Sequence, residues 1–102
     1  MKIIYMGTPD FAVPALKALN NSEHEVVAVF TQPDKPKGRK MVLTPPDVKV
    51  CANELSIPVY QPESFKDDKA LEIINEYNPD VIVVAAYGKI LPKSVLEAAE
   101  YG

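Results

Sequence analysis

The chain is predicted to fold as an α/β domain, a doubly wound parallel sheet with flanking helices, and three observations predict it. Apolar runs of strand length alternate with stretches of helical period in the order β-α-β-(loop)-α-β-α-β-α over 102 residues. The run Val81-Ile82-Val83-Val84-Ala85-Ala86 is unbroken rather than alternating, which implies cover on both faces and a central strand. Glu25–Phe30, with Val26, Val27 and Val29, has the same β-branched character. Strands joined through helices run parallel, and the common Rossmann-like order for four of them is 3-2-1-4. Winding then reverses between strands one and four, so a crevice opens at their carboxyl ends.

Each element has its own justification. Lys2–Gly7 is a short apolar run ending at glycine, a buried first strand. Asp10 can cap the helix that follows, in which Phe11, Ala15 and Leu19 recur every four residues as the inward stripe. Pro14 is tolerated because it lies in the first turn, and Asn20-Asn21 closes the helix. From Thr31 to Thr44, Pro33, Pro36, Gly38 and four cations permit no regular element, so a long basic loop is expected at about 31–44. Thr44-Pro45-Pro46-Asp47 reads as a capped helix start, with Val48, Cys51, Ala52 and Leu55 inward. Ile57–Tyr60 is a short third strand. Asp67–Tyr77 is a helix with Leu71, Ile74 and Tyr77 inward, stopped by Asn78-Pro79. After the fourth strand, Pro92 opens a last helix with Val95, Leu96 and Ala99 inward.

Composition narrows the function classes. A hydrophobic fraction of 47% can supply one core, which argues for a single small domain over residues 1–102 and against disorder. No apolar run approaches the roughly 20 residues that span a bilayer, and the first residues lack the form of a secretion signal, so no membrane role is expected. One cysteine, Cys51, cannot form an internal disulfide, which fits a reducing cytoplasm; its helical spacing makes it a buried small hydrophobe. No metal site is expected. Net charge is −3, yet Lys35, Lys37, Arg39 and Lys40 fall close together with no acid among them. A local basic patch on an acidic body suggests one defined anion contact.

The predicted crevice selects two segments: Gly7, Thr8, Pro9, Asp10 and Phe11 after strand one, and Tyr87, Gly88, Lys89, Ile90, Leu91 and Pro92 after strand four. The first has one glycine where a dinucleotide fingerprint needs three, so a tight strand-to-helix turn is the better reading. In the second, Ile90 and Leu91 follow a buried strand directly. They either line a pocket for a flat heteroaromatic ring or pack under the last helix, and residue types alone leave both open. The basic loop is either a solvated linker or a phosphate-contacting segment with salt-dependent affinity. His24, the single histidine, lies at the amino end of the sheet and is read as a surface residue.

Four stretches together resemble the methionyl-tRNA formyltransferase family. They are Met6-Gly7-Thr8-Pro9-Asp10-Phe11-Ala12; Phe30-Thr31-Gln32-Pro33-Asp34-Lys35-Pro36 with Gly38-Arg39-Lys40; Val59-Tyr60-Gln61-Pro62; and Val83 through Pro92. They stand in the family's order and cover nearly the whole chain. Glycinamide ribonucleotide formyltransferases share the fold but lack the Gly-Thr-Pro-Asp-Phe start and the Thr-Gln-Pro-Asp loop.

The resemblance implies transfer of a formyl group from 10-formyltetrahydrofolate to the amino group of methionine on initiator tRNA, in cytoplasmic translation initiation. It implies that Lys35, Lys37, Arg39 and Lys40 contact tRNA, with Arg39 matching the loop arginine most closely tied to recognition. Tyr87, Gly88, Lys89, Ile90, Leu91 and Pro92 match one wall of the folate pocket. The family's Asn-x-His, Ser-Leu-Leu-Pro segment and later aspartate have no counterpart up to Gly102. The resemblance therefore implies the amino-terminal part of a catalytic domain, without assigned catalytic residues, inactive alone and prone to self-association at the exposed edge of the fourth strand. Two other functions compete: a formyltransferase acting on another amine, and a stand-alone nucleic-acid or small-ligand binding module.

Overall fold

The computed structural model describes residues 2–8, 10–37, 42–62, 69–85 and 87. In chain order it contains β1 (Lys2–Gly7), a 3-10 turn (Asp10–Ala12), α1 (Val13–Asn20), β2 (Glu25–Phe30), β3 (Lys35–Lys37), β4 (Val42–Thr44), α2 (Asp47–Glu54), β5 (Val59–Tyr60), α3 (Lys69–Tyr77) and β6 (Val81–Ala85). β5, β2, β1 and β6 form a four-stranded sheet in that order, every pairing parallel. This is the expected 3-2-1-4 arrangement. The last expected helix, from Pro92 onward, lies outside the described residues, as does the expected start of α3 at Asp67.

Side chains alternate along the strands, so each face of the sheet collects its own core. Ile3, Tyr5, Val26 and Val29 pack with Ala12 and Leu16 before and within α1, and with Val48, Cys51 and Ala52 of α2. Ile4, Met6, Ala28 and Phe30 pack with Ala70 and Ile74 of α3 on the other face. A slip in the β1–β2 ladder between Ile3 and Ile4 reconciles the two sets. Ile3 pairs with Val26 and Ile4 with Ala28, leaving Val27 as an inserted residue. That bulge puts Val27 and Ala28 on the same face, while cover on both faces accounts for the lack of alternation in Glu25–Phe30.

Two helix ends carry residues in the left-handed region. After α2, Ser56 has φ 60°; its N–H donates to Asn53 O at 3.1 Å, and the Ile57 N–H donates to Ala52 O at 2.9 Å. This crossed pair of bonds turns the chain directly into β5, with Ile57 and Ala52 meeting in the core. After α3, Asn78 has φ 48° and its N–H reaches Ile74 O and Asn75 O. Asn78-Pro79 thus stops α3 as expected, by a left-handed cap that asparagine tolerates.

Three local expectations are corrected. The inward stripe at α1 is Ala12, Leu16 and Leu19, not Phe11, Ala15 and Leu19, and Phe11 is 71% exposed. The cause is the 3-10 turn at Asp10–Ala12, which rotates the helix start relative to a continuous α-helical phase. Residues 31–44 are not devoid of regular structure: β3 and β4 pair antiparallel, Lys35 with Thr44, Pro36 with Leu43 and Lys37 with Val42. A two-stranded ladder consists only of edges, where a proline can sit with its missing N–H facing outward. Finally, neither α1 nor α2 has the expected side-chain cap. Their N-cap positions are Ala12 and Pro46, and no side-chain cap hydrogen bond is made at either.

Candidate functional site

Parallel strands send all their carboxyl ends to one edge, and the candidate site is built there. Gly7 ends β1 opposite Ala85 of β6. A Cβ on Gly7 would stand 2.9 Å from the Ala85 carbonyl oxygen and 3.1 Å from both the Ala12 Cβ and the Tyr5 ring. Glycine is needed here for close approach of three elements, not for a positive φ.

Thr8 follows, and three segments converge on it. Its hydroxyl donates to Tyr87 O at 2.8 Å, just beyond β6, and accepts from the Gln32 N–H at 3.3 Å, just beyond β2. Its carbonyl accepts from the Val48 N–H at 3.4 Å in the first turn of α2. The two segments selected from sequence, after strand one and after strand four, are therefore in contact. Asp10 and Phe11 are exposed, and the Phe11 N–H donates to Asp10 Oδ1 at 2.9 Å, so Asp10 turns the chain locally. Tyr5, fully buried, donates through its hydroxyl to Ala12 O at 2.7 Å, and burial raises its pKa.

Of the six residues matched to a folate wall, Tyr87 is described and Gly88, Lys89, Ile90, Leu91 and Pro92 lie outside the described residues; so does Pro9. The Tyr87 side chain is 1% exposed and belongs to the α3-side core, where burial pushes its phenol well above the usual range. What Tyr87 presents toward Thr8 is its backbone carbonyl.

Of the basic residues, Lys35 and Lys37 occupy β3, whereas Arg39 and Lys40 lie outside the described residues. The hairpin continues β2, so it rises from the same edge of the sheet as Thr8 and Tyr87. At its root stands a cluster that sequence reasoning missed. The Asp34 carboxylate accepts from Gln61 Nε2 at 2.7 Å and from Lys49 Nζ at 3.1 and 3.4 Å. The same Gln61 nitrogen donates to Gln32 O at 3.1 Å. The Gln61 hydrogen bond, then Lys49, hold the Asp34 carboxyl below the usual carboxylate range. Asp34 and Gln61 carried no periodicity signal; the only sequence clue was their place inside two of the family-like stretches.

Elsewhere, Tyr60 and Tyr77 share a 2.6 Å hydroxyl–hydroxyl hydrogen bond across β5 and α3. That bond, followed by burial, pushes the Tyr77 pKa up to about 12. A shallow groove of about 290 Å³ between α1 and α2 is lined by Asp10, Val13, Lys17, Asp47, Val50, Cys51 and Glu54. Cys51 is 4% exposed and burial raises its thiol pKa, the behaviour of a buried hydrophobe. His24 is exposed ahead of β2. Among the described residues no group of three or more His, Cys, Asp or Glu could hold a metal ion, and no helix is long and apolar enough to cross a membrane.

Comparison with known proteins sets this geometry in context. The chain is 59% identical over 101 residues to a methionyl-tRNA formyltransferase of Macrococcus caseolyticus, covering 99% of this chain and 32% of that protein. It is 53% identical to the methionyl-tRNA formyltransferase of Halalkalibacterium halodurans over 102 residues, 100% of this chain and 32% of that protein. The chain thus spans about a third of the length of the curated relatives it matches. Its fold is similar to the crystal structure of phosphoribosylglycinamide formyltransferase from Bacillus halodurans, with a TM-score of 0.66 at 15% identity over 96% of this chain and 51% of that one. A family profile described as formyl transferase matches residues 1–102. With its whole length so matched, and its strand order the one expected, the chain belongs to the formyl transferase family.

Proposed function

We propose that the chain is the part of a methionyl-tRNA formyltransferase that presents a tRNA-facing basic hairpin beside one wall of the formyl-donor crevice. The observation that carries this reading is the convergence at Thr8, where the segment after β6 and the segment leading to the hairpin are bonded to one side chain. High identity to relatives of that name along the whole chain supports it. Lys35, Lys37, Arg39 and Lys40 neutralise backbone phosphates of initiator methionyl-tRNA. Tyr87 through Pro92 contribute to holding 10-formyltetrahydrofolate, which supplies the formyl group. A role in translation initiation goes with a reducing cytoplasm, and the single Cys51 is in keeping with that.

Formyl transfer needs a base near the attacking amine and donors for the developing oxyanion. Asp10 is exposed and engaged with its neighbouring N–H, and the Thr8 hydroxyl already donates to Tyr87 O. On this reading neither supplies the base or the oxyanion donor, and the chain binds tRNA without turning over. Among the described residues β6 is the last strand of the sheet and pairs only with β1, which supports self-association along its other edge.

The test is binding of charged initiator tRNA by this chain across a salt series, with a formylation assay in parallel. Salt-sensitive binding is expected, and each of Lys37→Ala and Arg39→Ala should reduce the slope of log K against log salt by about 1. Salt-independent binding, or an unchanged slope in both variants, would refute the hairpin's role. Formylation above a no-protein blank would refute inactivity, and a concentration-independent monomer in sedimentation would refute self-association.

A further inference from the structure

An acid at the foot of a cationic hairpin is a physical anomaly. Asp34 immediately precedes Lys35, and the stretch to Lys40 carries four cations. If phosphate affinity alone governed this segment, a carboxylate here would oppose it through like-sign repulsion of phosphate. The structure shows where that charge is directed. It enters a three-way bond set with Gln61, after β5, and Lys49, in α2. Both ionic partners are partly covered, with side chains 25% and 29% exposed.

The bond set closes on the backbone as well. Gln61 Nε2 is shared between the Asp34 carboxylate and Gln32 O, so one amide grips the departing chain at two points. Thr8 grips it at a third, through the Gln32 N–H. On the returning leg, β4 ends at Thr44 and passes through Pro45 and Pro46 into α2, the helix that carries Lys49. Proline fixes φ at both positions, so the return path is stiff. The outgoing leg also carries prolines, Pro33 and Pro36, but these restrict φ locally and tie the hairpin to no neighbouring element. The Asp34 bonds to Lys49 and Gln61 supply that tie.

We infer that Asp34 is a positioning residue: with Lys49 and Gln61 it fixes the angle at which the basic hairpin leaves β2, and so sets where the hairpin's cations meet a phosphate backbone. The second half of this inference rests on the proposed tRNA-facing role; the first half does not. Asp34 touches no substrate in this scheme. It acts through the ladder formed by Lys35–Lys37 and Val42–Thr44.

The discriminating variant is Asp34→Asn, which preserves size while removing one negative charge. Charge alone makes this variant bind tRNA more tightly. Loss of positioning makes it bind more weakly, so the two explanations predict opposite signs. We expect amide exchange at Lys35, Lys37, Val42 and Thr44 to quicken about tenfold, exchange in β1 and β2 to stay unchanged, and tRNA affinity to fall several-fold. Lys49→Met should quicken the same amides, whereas Lys49→Arg, which keeps a cationic donor, should not. Unchanged hairpin exchange in Asp34→Asn, or tighter tRNA binding, overturns the inference. If the unsubstituted chain shows no salt-sensitive tRNA binding, the proposed function fails, while hairpin exchange still decides whether Asp34 anchors it.

Discussion

Replacing Gly7 by alanine adds a single methyl group at the tightest point of the sheet. That methyl would stand 2.9 Å from the Ala85 carbonyl oxygen, 3.1 Å from the Ala12 Cβ and 3.1 Å from Tyr5 Cε2. Comfortable carbon contacts begin at about 3.5 Å. None of the three neighbours yields easily. Ala85 O is backbone within the β1–β6 ladder. The Tyr5 ring is fully buried and its hydroxyl is fixed on Ala12 O at 2.7 Å, which also ties down the turn that carries Ala12. Relief must come from β6 moving off β1 by a few tenths of an ångström. Overpacking of this kind costs about 1–3 kcal/mol, and alanine's lower unfolded-state entropy offsets roughly 0.5–1 kcal/mol of it. The central net loss, about 1 kcal/mol, should lower Tm by roughly 4–8 °C in a domain of this size. Urea and thermal unfolding followed by circular dichroism would measure it. A Gly7→Ala chain as stable as the parent would refute the reasoning, because it would mean that β1 and β6 are not held as closely as the distances state.

Three further outcomes follow from individual contacts. Thr8→Val removes the donor to Tyr87 O and the acceptor for the Gln32 N–H while keeping side-chain shape; about 1–3 kcal/mol should be lost in urea unfolding, and Thr8→Ser should recover most of it. Tyr60→Phe removes the hydroxyl that raises Tyr77, so the Tyr77 pKa, read from its ring carbon shift by NMR, should fall from about 12 toward the ordinary tyrosine value. Stability linked to Tyr77 is present below the unfolded tyrosine pKa and is lost as pH rises through its raised folded value, so the alkaline limb of the stability curve should flatten in this variant. Asp34 carries the opposite sign. Its folded pKa is lowered, so its contribution is present above the ordinary carboxylate value of about 3.9 and is lost as pH falls through the lower folded one. Urea midpoints measured into that acid range should decline less steeply for Asp34→Asn than for the parent.

The elements most legible in the sequence were those whose signal is local and strong. Strands β1, β2 and β6 announced themselves as apolar runs, and Asn78-Pro79 marked the end of α3 because one residue tolerates a left-handed φ and the next cannot continue a helix. Their order followed from alternation with helices. The phase of α1 was not legible, since a 3-10 turn shifts which residues face inward and nothing in Phe11 or Ala12 signals it. The β3–β4 hairpin was hidden because proline and glycine read as breakers, although breakers are tolerated in a ladder with two open edges. That the chain after strand one meets the chain after strand four was visible from strand order. The contacts that join them were not. Thr8 meets a residue 79 positions away and Asp34 one that is 27 away, and pairwise contacts at such distances leave no periodic trace.

The placement of the basic hairpin beside the ends of β1 and β6 is a consequence of sheet topology more than of any single contact. β2 lies next to β1 and parallel to it, so whatever continues β2 must emerge on the carboxyl edge within one strand spacing of whatever continues β1. β6 flanks β1 on the other side with the same polarity, which brings Tyr87 to that edge. The 3-2-1-4 order therefore forces three loops into one neighbourhood before any side chain is specified. What the sequence adds is the choice of residue at the centre. Threonine at position 8 has one hydroxyl that can donate and accept together, and it does both, toward the chain after β6 and toward the chain after β2. A hydrophobe of the same shape would keep the topology and lose both links. Displacement of the hairpin root and displacement of the Tyr87 backbone are thus linked through a single atom, and Thr8→Val separates the contribution of that atom from the contribution of strand order.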